Sequence, residues 1–284
     1  MKPICIIGPT AIGKTVYAIN LAQKINAEII SADSMQVYRE MDIGTAKPDK
    51  VELQAVKHHL IDICDPDEPY TVVDFVQNVS RLVPEINSRG KQVLIVGGTG
   101  LYLNALFSGL SFTGATSDEA FREERYAEHG EILHQQLQQV DPVAAAKIHP
   151  HNKKRVIRAL EVFQLTGIPM SEQIFKVSKA DNYEIIGLDC ERSLLYERIN
   201  QRVEKMFKAG LINEVEALQK KGYNKNLPSL QALGYKETIA YLEGSIASKE
   251  ELVSLIQQRT RNFAKRQLTW FRRFETVRWE KTCY

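Results

Sequence analysis

The chain has 284 residues, of which 44% are hydrophobic and 25% are charged, and its formal net charge is +2. These are ordinary values for a soluble globular protein, and the length allows one large domain or a domain with an insertion. The start of the chain lacks the apolar run of a signal peptide, and no later stretch approaches the ~18 apolar residues of a membrane span. The four cysteines lie far apart and form no C-x-x-C pair. We therefore expect a cytoplasmic protein with reduced thiols, and neither a zinc knuckle nor a disulfide framework.

The first hundred residues alternate between strand-like and helix-like segments. We predict helices at Lys14–Lys24 and Val72–Ser88, and strands at Ile4–Ile7, in AEIIS (27–31), at His58–Ile63 and in KQVLIVGG (91–98). Apolar strands that alternate with helices are typical of a parallel sheet covered by helices on both faces.

The middle of the chain, from about Thr113 to Lys179, has almost no strand-like runs. A polar helix starting at Ser117 and further helices in DPVAAAKI (141–148) and NKKRVIRALEVFQLTG (152–167) predict an all-helical insertion, which we bound at 113–182. In the remainder of the chain, after residue 182, the pattern predicts a strand at Tyr183–Asp189 and an edge strand at 277–279. It also predicts helices at Ser193–Ala209, Ile212–Lys221, Tyr235–Leu242 and Glu250–Phe274. The expected fold is an α/β core formed by 1–112 and 183–284, with this insertion.

The charge is unevenly distributed towards the C-terminal end. Between Glu251 and Glu275 there is no acid, whereas six basic residues fall there: Arg259, Arg261, Lys265, Arg266, Arg272 and Arg273. A basic block in an almost neutral protein indicates a polyanionic partner. On a helix, the spacing of three or four residues would place Arg261, Lys265, Leu268 and Arg272 on one face.

The segment GPTAIGKT fits the phosphate-loop pattern G-x-x-x-x-G-K-[ST] and lies between a predicted strand and a predicted helix. In such a loop the backbone N–H groups turn inward around an anion, and the helix N-terminus adds partial positive charge. Lys14 would supply a mobile full charge and Thr15 a hydroxyl for Mg²⁺. The alternative is an ordinary glycine-rich turn between a strand and a helix.

The acid that usually accompanies a phosphate loop in nucleotide hydrolases is missing after the best candidate strand. Such an acid would hold Mg²⁺ and help to activate water, but VLIVGGT ends in Gly97, Gly98 and Thr99. Asp33 instead ends a neighbouring strand. The carboxyl ends of parallel strands open onto one crevice, so Asp33 and Thr99 are expected to face the anion. Spacing alone leaves open that Asp33 is a helix N-cap and Thr99 a loop hydroxyl.

Several longer motifs resemble those of the tRNA dimethylallyltransferase family, also called tRNA isopentenyltransferases. They are GPTAIGKT, ISADSMQVYREMDIGTAKP, HHLIDICDPDEPYTVVDF, VLIVGGTGLY, DPVAAAKIHPHNKKRVIRALEVF, ALGYKE and RQLTWFRRF. They occur in family order over nearly the whole chain. The resemblance implies a P-loop NTPase-like core and transfer of a dimethylallyl group from dimethylallyl diphosphate to N6 of adenosine 37 in tRNA. The loop would then bind the diphosphate of an isoprenoid.

The resemblance also implies roles for individual residues. Asp33 would accept the proton of the exocyclic amine, and Thr99 would help to position that amine. Arg202 matches a family arginine at the diphosphate channel; its alternative role is a solvated helix residue paired with an acid. The diphosphate would bind Gly8, Pro9, Thr10, Ala11, Ile12, Gly13, Lys14, Thr15 and Arg202, with a Mg²⁺ ion on Thr15.

The family's tRNA contacts map onto three parts of the chain. The corresponding residues are Asp33, Ser34, Met35, Gln36 and Thr99; Arg122, Lys154, Arg155, Val156, Ile157 and Arg158; and Gln231, Lys236, Arg261, Lys265 and Arg266. Two positions depart from the family pattern: Ile12 stands where a serine is frequent, and Lys236 where many relatives have arginine. The expected partner is the anticodon stem-loop of tRNA. We expect no membrane association and no obligate protein partner, and therefore a monomer.

Three other functions remain open from the sequence. An isopentenyltransferase acting on free AMP, ADP or ATP would share the loop and Asp33, but would not need the insertion or the basic helix. A small-molecule kinase would share the phosphate loop, but the absent acid after VLIVGG argues against it. A non-catalytic RNA-binding module would use the basic helix without the catalytic residues.

Overall fold

The computed structural model describes residues 1–108, 118–172, 180–274 and 276–282. It divides into two compact units, Met1–Phe107 with Ala180–Tyr284, and Ser108–Lys179. The predicted insertion, 113–182, corresponds to the second unit, Ser108–Lys179. The observed unit starts five residues before the predicted start and ends three residues before the predicted end. No helix within the described ranges has the length and apolar character needed to cross a membrane.

The first unit is built on a six-stranded sheet in which every neighbouring pair of strands is parallel, in the order β3-β2-β4-β1-β5-β6. The strands are β1 (Ile4–Ile7), β2 (Ala27–Ser31), β3 (His58–His59), β4 (Gln92–Gly97), β5 (Glu184–Asp189) and β6 (Val277–Lys281). The helices of this unit are α1 (Lys14–Ile25), α2 (Lys50–Ala55), α3 (Val72–Ser88), α4 (Gly100–Ser108), α9 (Arg192–Ala209), α10 (Leu211–Lys220), α11 (Tyr235–Leu242) and α12 (Lys249–Phe271).

The core lies on both faces of this sheet because its central strands carry apolar side chains on both sides. On one face, Cys5 and Ile7 pack with residues of α3 and α4 and with Phe271 of α12. On the other face, Ile6 packs with residues of α1 and α9 and with Ala264 of α12. α12 therefore contributes to the core on both sides of the sheet.

The second unit contains α5 (Glu119–Ala127), α6 (Gly130–Val140), α7 (Pro142–Ala145) and α8 (Lys153–Thr166). Its core includes Leu133, Leu137, Val156 and Ile157. α8 ends at Gly167, whose φ of 68° is the left-handed conformation favoured at a helix C-terminus. The described part of this unit is all-helical, as predicted.

Most predicted elements are confirmed to within a few residues, and α3 and α11 have the predicted bounds. β3 is shorter than His58–Ile63 because Leu60 and Asp62 have φ values of 62° and 55°, which break the extended conformation. The predicted start of the polar helix, Ser117, lies outside the described residues. The N-cap of this helix, α5, is Asp118, whose carboxylate accepts a hydrogen bond from the Phe121 N–H at 2.9 Å. α12 ends at Phe271 rather than Phe274.

A buried carboxylate links β2 and β3 to the residues after α3. Glu28 is 2% exposed, and its Oε2 lies 2.7 Å from both His59 Nε2 and an Arg89 guanidinium nitrogen. Burial alone would raise the pKa of Glu28, but the hydrogen bonds from His59 and Arg89 lower it to about 2. Because the folded-state pKa lies below the ordinary value, this group stabilises the fold above about pH 4.5, and the contribution declines as the pH falls towards 2.

We predict that Glu28→Gln lowers the free energy of unfolding at pH 7 by about 2 kcal/mol, the size typical of a hydrogen bond to a charged group. The deficit relative to the wild type should shrink as the pH falls below about 4.5, since the wild-type carboxylate then begins to lose its advantage. Urea unfolding at pH 7, 5 and 3.5 measures both effects. Glu85→Gln is the matched control, because Glu85 also pairs with Arg89 but is solvent-exposed. Equal losses in the two variants, or a pH-independent deficit for Glu28→Gln, would contradict this interpretation.

Candidate active site

The site lies at the carboxyl ends of three adjacent strands. Ile7 of β1 pairs with Gly97 of β4, and Ser31 of β2 pairs with Val96, so these strands end at the same level. The phosphate loop follows β1, Asp33 follows β2, and Thr99 follows β4. The parallel register thus brings the segments predicted from the sequence to one edge of the sheet.

The phosphate loop has the backbone conformation of an anion cradle. Ala11 and Gly13 have φ values of 62° and 98°, and α1 starts immediately afterwards at Lys14. The Lys14 ammonium is turned onto the loop itself, since its Nζ donates to the carbonyl oxygens of Gly8 and Pro9 at 2.9 Å. Ile12 contributes through its backbone, because its side chain is fully buried in the core.

The charges around the cradle affect one another. Desolvation and the nearby Arg202 guanidinium lower the pKa of Lys14 to about 7, while the Asp33 carboxylate opposes this shift. Desolvation also lowers the pKa of Arg202, again opposed by Asp33. Arg202 donates to Thr10 Oγ1 at 3.3 Å, so it lies at the phosphate loop as predicted, rather than in an ion pair on the helix surface.

Hydrogen bonds connect the turn that contains Asp33 to Thr99. Asp33 Oδ1 accepts from the backbone N–H groups of Met35 at 2.9 Å and Gln36 at 3.4 Å, which fixes the carboxylate in a short turn. Thr99 Oγ1 accepts from the Ser34 N–H at 3.0 Å and lies 3.4 Å from Ser34 Oγ. The turn after β2 is therefore held directly against the loop after β4.

Two adjoining cavities meet at these residues. The first extends from Gly13, Lys14 and Thr15 to Asp33. The second has a largely apolar wall that includes Met35, Val203, Met206, Leu233 and Phe263. Thr10, Asp33, Gly98, Arg202 and Gln267 border both cavities, so a charged group in the first and an apolar group in the second would join beside Asp33.

Sequence reasoning missed Gln267 of α12. Its Oε1 accepts from the Thr10 N–H at 2.8 Å, and its Nε2 donates to Gly98 O at 2.8 Å. The motif RQLTWFRRF contained this residue, but nothing in the sequence pattern distinguished it from its basic neighbours.

Sequence reasoning also missed Glu214 and Tyr235, which hold the loop after Met41 in place. This loop borders the cavities. Glu214 accepts from the N–H groups of Asp42, Ile43 and Gly44 and from the hydroxyl of Tyr235. A Cβ atom on Gly44 would lie 2.4 Å from the Tyr235 ring, so glycine is required for this packing. A signal for these roles was present only as glycine and glutamate in otherwise unremarkable segments.

The structure distributes the predicted tRNA contacts of the first unit around this site. Ser34, Met35 and Gln231 border the apolar cavity. Gln36 is tied inward, since its Oε1 accepts from Ser31 Oγ and its Nε2 donates to Ala46 O. Lys236 lies 4.0 Å from the buried Glu237.

The basic residues of α12 differ in their surroundings. Arg259 donates to Glu237 at 2.5 Å, and Arg261 donates to Asn200 Oδ1 at 2.7 Å. Lys265 and Arg266 are exposed, with the Arg266 guanidinium over the Phe263 ring at 5.8 Å. Leu268 is partly buried in the core, so it does not join Lys265 on the solvent face.

In the second unit, the predicted contacts fall into exposed and internal positions. Lys154 and Arg155 are exposed. Val156 and Ile157 are 0% and 1% exposed and belong to the core of the unit, so their side chains face that core, and the tRNA contact at these two positions stays a prediction. Arg122 and Arg158 both pair with the fully buried Glu161, at 2.9 and 2.7 Å.

Comparison of the sequence with known proteins identifies the family of this chain. Residues 36–274 match the family model described as IPP transferase. A tRNA dimethylallyltransferase from Geobacillus kaustophilus is 49% identical, with 98% of this chain and 90% of that protein covered. One from Carboxydothermus hydrogenoformans is 50% identical, covering 98% and 91%. The chain belongs to the IPP transferase family.

Solved structures of IPP transferase relatives support the same fold. A tRNA isopentenylpyrophosphate transferase from Bacillus halodurans superimposes with a TM-score of 0.73 at 45% identity, covering 99% of this chain and 89% of that chain. A eukaryotic dimethylallyltransferase acting on tRNA gives a TM-score of 0.85 at 28% identity, covering 98% and 73%. The predicted family and the predicted P-loop-like α/β fold with a helical part are confirmed.

The residues that could hold a metal ion near the phosphate loop are few. Among the described residues, no group of three or more His, Cys, Asp or Glu side chains is arranged to hold a metal ion. Thr15 lines the first cavity next to Lys14. Mg²⁺ commonly binds through few protein oxygens and several substrate phosphate oxygens. The Thr15 hydroxyl is the protein oxygen at this cavity that would suit a Mg²⁺ ion.

We predict that the Lys14 ammonium titrates with a pKa of about 7 in the unliganded protein, and that Asp33→Asn lowers this pKa further. The direction follows because the Asp33 carboxylate favours the charged form of Lys14. NMR titration of ¹³C-labelled lysine side chains measures the pKa, and Lys14→Arg assigns the signal. Asp67→Asn, which removes an acid from an exposed position, serves as the control. An unchanged or raised Lys14 pKa in Asp33→Asn would exclude this coupling.

Proposed function

We propose that this protein transfers a dimethylallyl group from dimethylallyl diphosphate to N6 of adenosine 37 in tRNAs that read codons beginning with U. The products are N6-dimethylallyladenosine and diphosphate. Membership of the IPP transferase family and the names of the relatives support this activity. The observation that supports it best in the structure is the meeting of a phosphate cradle and an apolar cavity at Asp33.

The two cavities match the two parts of dimethylallyl diphosphate. The diphosphate suits the first cavity, where loop N–H groups and Lys14 favour an anion. The hydrocarbon suits the apolar wall formed by Met35, Val203 and Met206. The carbon that undergoes transfer then lies where the cavities join, beside Asp33.

The reaction is an alkyl transfer in which Asp33 acts as a general base. The N6 lone pair is delocalised into the adenine ring, so the amine is a poor nucleophile until a carboxylate accepts its proton. N6 forms a bond to C1 of the dimethylallyl group while the bond from C1 to the diphosphate oxygen breaks, and its electron pair leaves with the diphosphate. The N6 proton passes to the carboxylate of Asp33. The Thr99 hydroxyl, held by the Ser34 N–H, orients the amine.

The departing diphosphate gains negative charge as the bond breaks. The loop N–H groups and Arg202 are already placed at the cradle, so they can stabilise this charge with little reorganisation. Lys14 would add its charge by exchanging the carbonyl oxygens of Gly8 and Pro9 for diphosphate oxygens. Thr15 would hold a Mg²⁺ ion, which supplies further neutralisation of diphosphate charge when bound. No residue is needed to activate water, which accounts for the glycines and threonine at the end of β4.

The tRNA anticodon stem-loop would lie along the exposed basic side of α12. Lys265 and Arg266 are suited to phosphate contacts, which position an RNA without reading its sequence. Adenosine 37 would have to leave the base stack to reach Asp33, at a cost of a few kcal/mol. We further propose that the protein acts in the cytoplasm as a monomer without an obligate protein partner.

We predict that Asp33→Asn lowers the single-turnover rate of prenylation by about 10²–10⁴-fold, the usual contribution of a general base. Binding of the anticodon stem-loop should stay within about threefold, because the amide retains the size of the carboxylate. Mass analysis of a stem-loop incubated with dimethylallyl diphosphate measures the rate, and Asp67→Asn is the control. Unchanged turnover in Asp33→Asn would remove Asp33 from the mechanism.

The same assay separates the alternative activities. The wild-type protein should prenylate the stem-loop and leave AMP unmodified, and no ATP should be consumed. Prenylation of AMP alone would establish the free-nucleotide transferase, and ATP consumption without prenyl transfer would establish a kinase. Stem-loop binding without any product would indicate a non-catalytic RNA-binding module.

We predict that the double variant Lys265→Ala/Arg266→Ala weakens binding of the stem-loop and reduces the salt dependence of the binding constant. Each lost phosphate contact lowers the slope of log K against log salt by roughly one. Fluorescence anisotropy at several salt concentrations measures the slope. Lys249→Ala removes one positive charge at the other end of α12 and should leave the slope unchanged. Equal slopes in all three proteins would place the RNA elsewhere.

A further inference from the structure

Gln267 connects two loops that meet at the reacting groups. It is 6% exposed, and its side-chain amide uses both of its functional ends. The oxygen accepts from the Thr10 N–H and the nitrogen donates to Gly98 O, each at 2.8 Å. The donor belongs to the phosphate loop, and the acceptor belongs to the loop after β4.

Each end of this bridge leads to a residue of the proposed reaction. On the diphosphate side, the Thr10 hydroxyl oxygen accepts a hydrogen bond from the Arg202 guanidinium. Gly98 precedes Thr99, whose hydroxyl is held by the Ser34 N–H on the amine side. Hydrogen bonds and short covalent segments thus connect the leaving-group side to the nucleophile side through Gln267.

The helix that provides Gln267 is fixed in place around it. Ala264 and Phe271, one turn before and one turn after, are both fully buried and pack on opposite faces of the sheet. The bridge is also tightly packed against the backbone, because a Cβ on Gly98 would lie 2.4 Å from Gln267 Nε2. Gln267 therefore has little freedom to move away from either loop.

We propose that Gln267 is a positioning residue that sets the separation between the diphosphate cradle and the amine-binding loop, an inference that rests on the proposed prenyl transfer. Glutamine suits this place because it offers an acceptor and a donor at the end of one side chain. A glutamate would lack the donor for Gly98 O, and methionine would lack both groups. Separation matters because a misplacement of about 1 Å between reacting groups can reduce a rate by about 10²-fold.

The first test replaces Gln267 by methionine, which has a similar length and no strong hydrogen-bonding group. We expect kcat for stem-loop prenylation to fall by roughly 10- to 100-fold, while KM for dimethylallyl diphosphate changes by less than about threefold. Gln257→Met is the matched control on the same helix, since Gln257 donates to Asn200 O away from the cavities. Equal kcat values for the two variants, or a loss confined to KM, would overturn the proposal.

The second test is a double-mutant cycle on the contact itself. Gly98→Ala should lower kcat by displacing the Gln267 amide, and Gln267→Ala should lower it by removing that amide. The double variant should be no slower than Gln267→Ala alone, because the added methyl group then meets only Lys14 Nζ, at an ordinary contact distance of 3.6 Å. Additive losses would show that the two residues act independently and would overturn the proposal.

A third measurement does not depend on prenylation. Hydrogen exchange of the Thr10 amide should accelerate in Gln267→Met and stay unchanged in Gln257→Met, since only the former loses the acceptor of Thr10. Unchanged protection in Gln267→Met would overturn the bridge even if the wild-type protein failed to prenylate tRNA. Failure of the proposed function, seen as an inactive wild type, is thereby distinguished from failure of this inference.

Discussion

The parallel pairing of β2, β4 and β1 is the constraint on which the site depends. The register places Ile7 beside Gly97 and Ser31 beside Val96, so three chain segments leave the sheet at one level. A shift of one strand by a residue would move each of its side chains to the opposite face of the sheet, where it would meet different core neighbours. The energy that fixes the site is therefore the burial of apolar strands, rather than the few polar contacts at their ends.

The helix α12 combines two functions on opposite faces. Its buried face places Ala264, Gln267 and Phe271 against the sheet and the two loops, whereas Lys265 and Arg266 lie on the exposed face. A nucleic acid bound to the exposed face would contact a helix that cannot move relative to the reaction centre. Binding and chemistry are then aligned by one rigid element, without a separate adapting segment.

The sequence allowed prediction of those parts of the site that lie in contiguous motifs. The phosphate loop, Asp33 and Thr99 stand at strand ends, so the expectation of a parallel sheet was enough to suggest that they face one crevice. Gln267 and Glu214 were missed because they act on backbone groups about 170 to 260 positions away, which leaves no local pattern. The motif that includes Val156 and Ile157 marks a whole helix turn without saying which side faces the core, so the burial of these two side chains was not predicted. The early end of β3 depends on left-handed residues at 60 and 62 that are not glycines, and such positions have no strong sequence signal.

The hydrogen bonds of Lys14 explain how the phosphate loop holds Lys14 and Arg202 close together with few acids nearby. In this structure the ammonium donates to two loop carbonyls, which compensate for part of its lost hydration and keep it out of the anion cradle. Its lowered pKa reflects the same crowding, since Arg202 and desolvation both disfavour the charge. A diphosphate would reverse that balance, because it offers charged acceptors in place of neutral carbonyls. A bound anion would therefore favour the charged forms of both Lys14 and Arg202, which disfavour each other in its absence. The Asp33 carboxylate already offsets part of this repulsion and does not occupy the cradle.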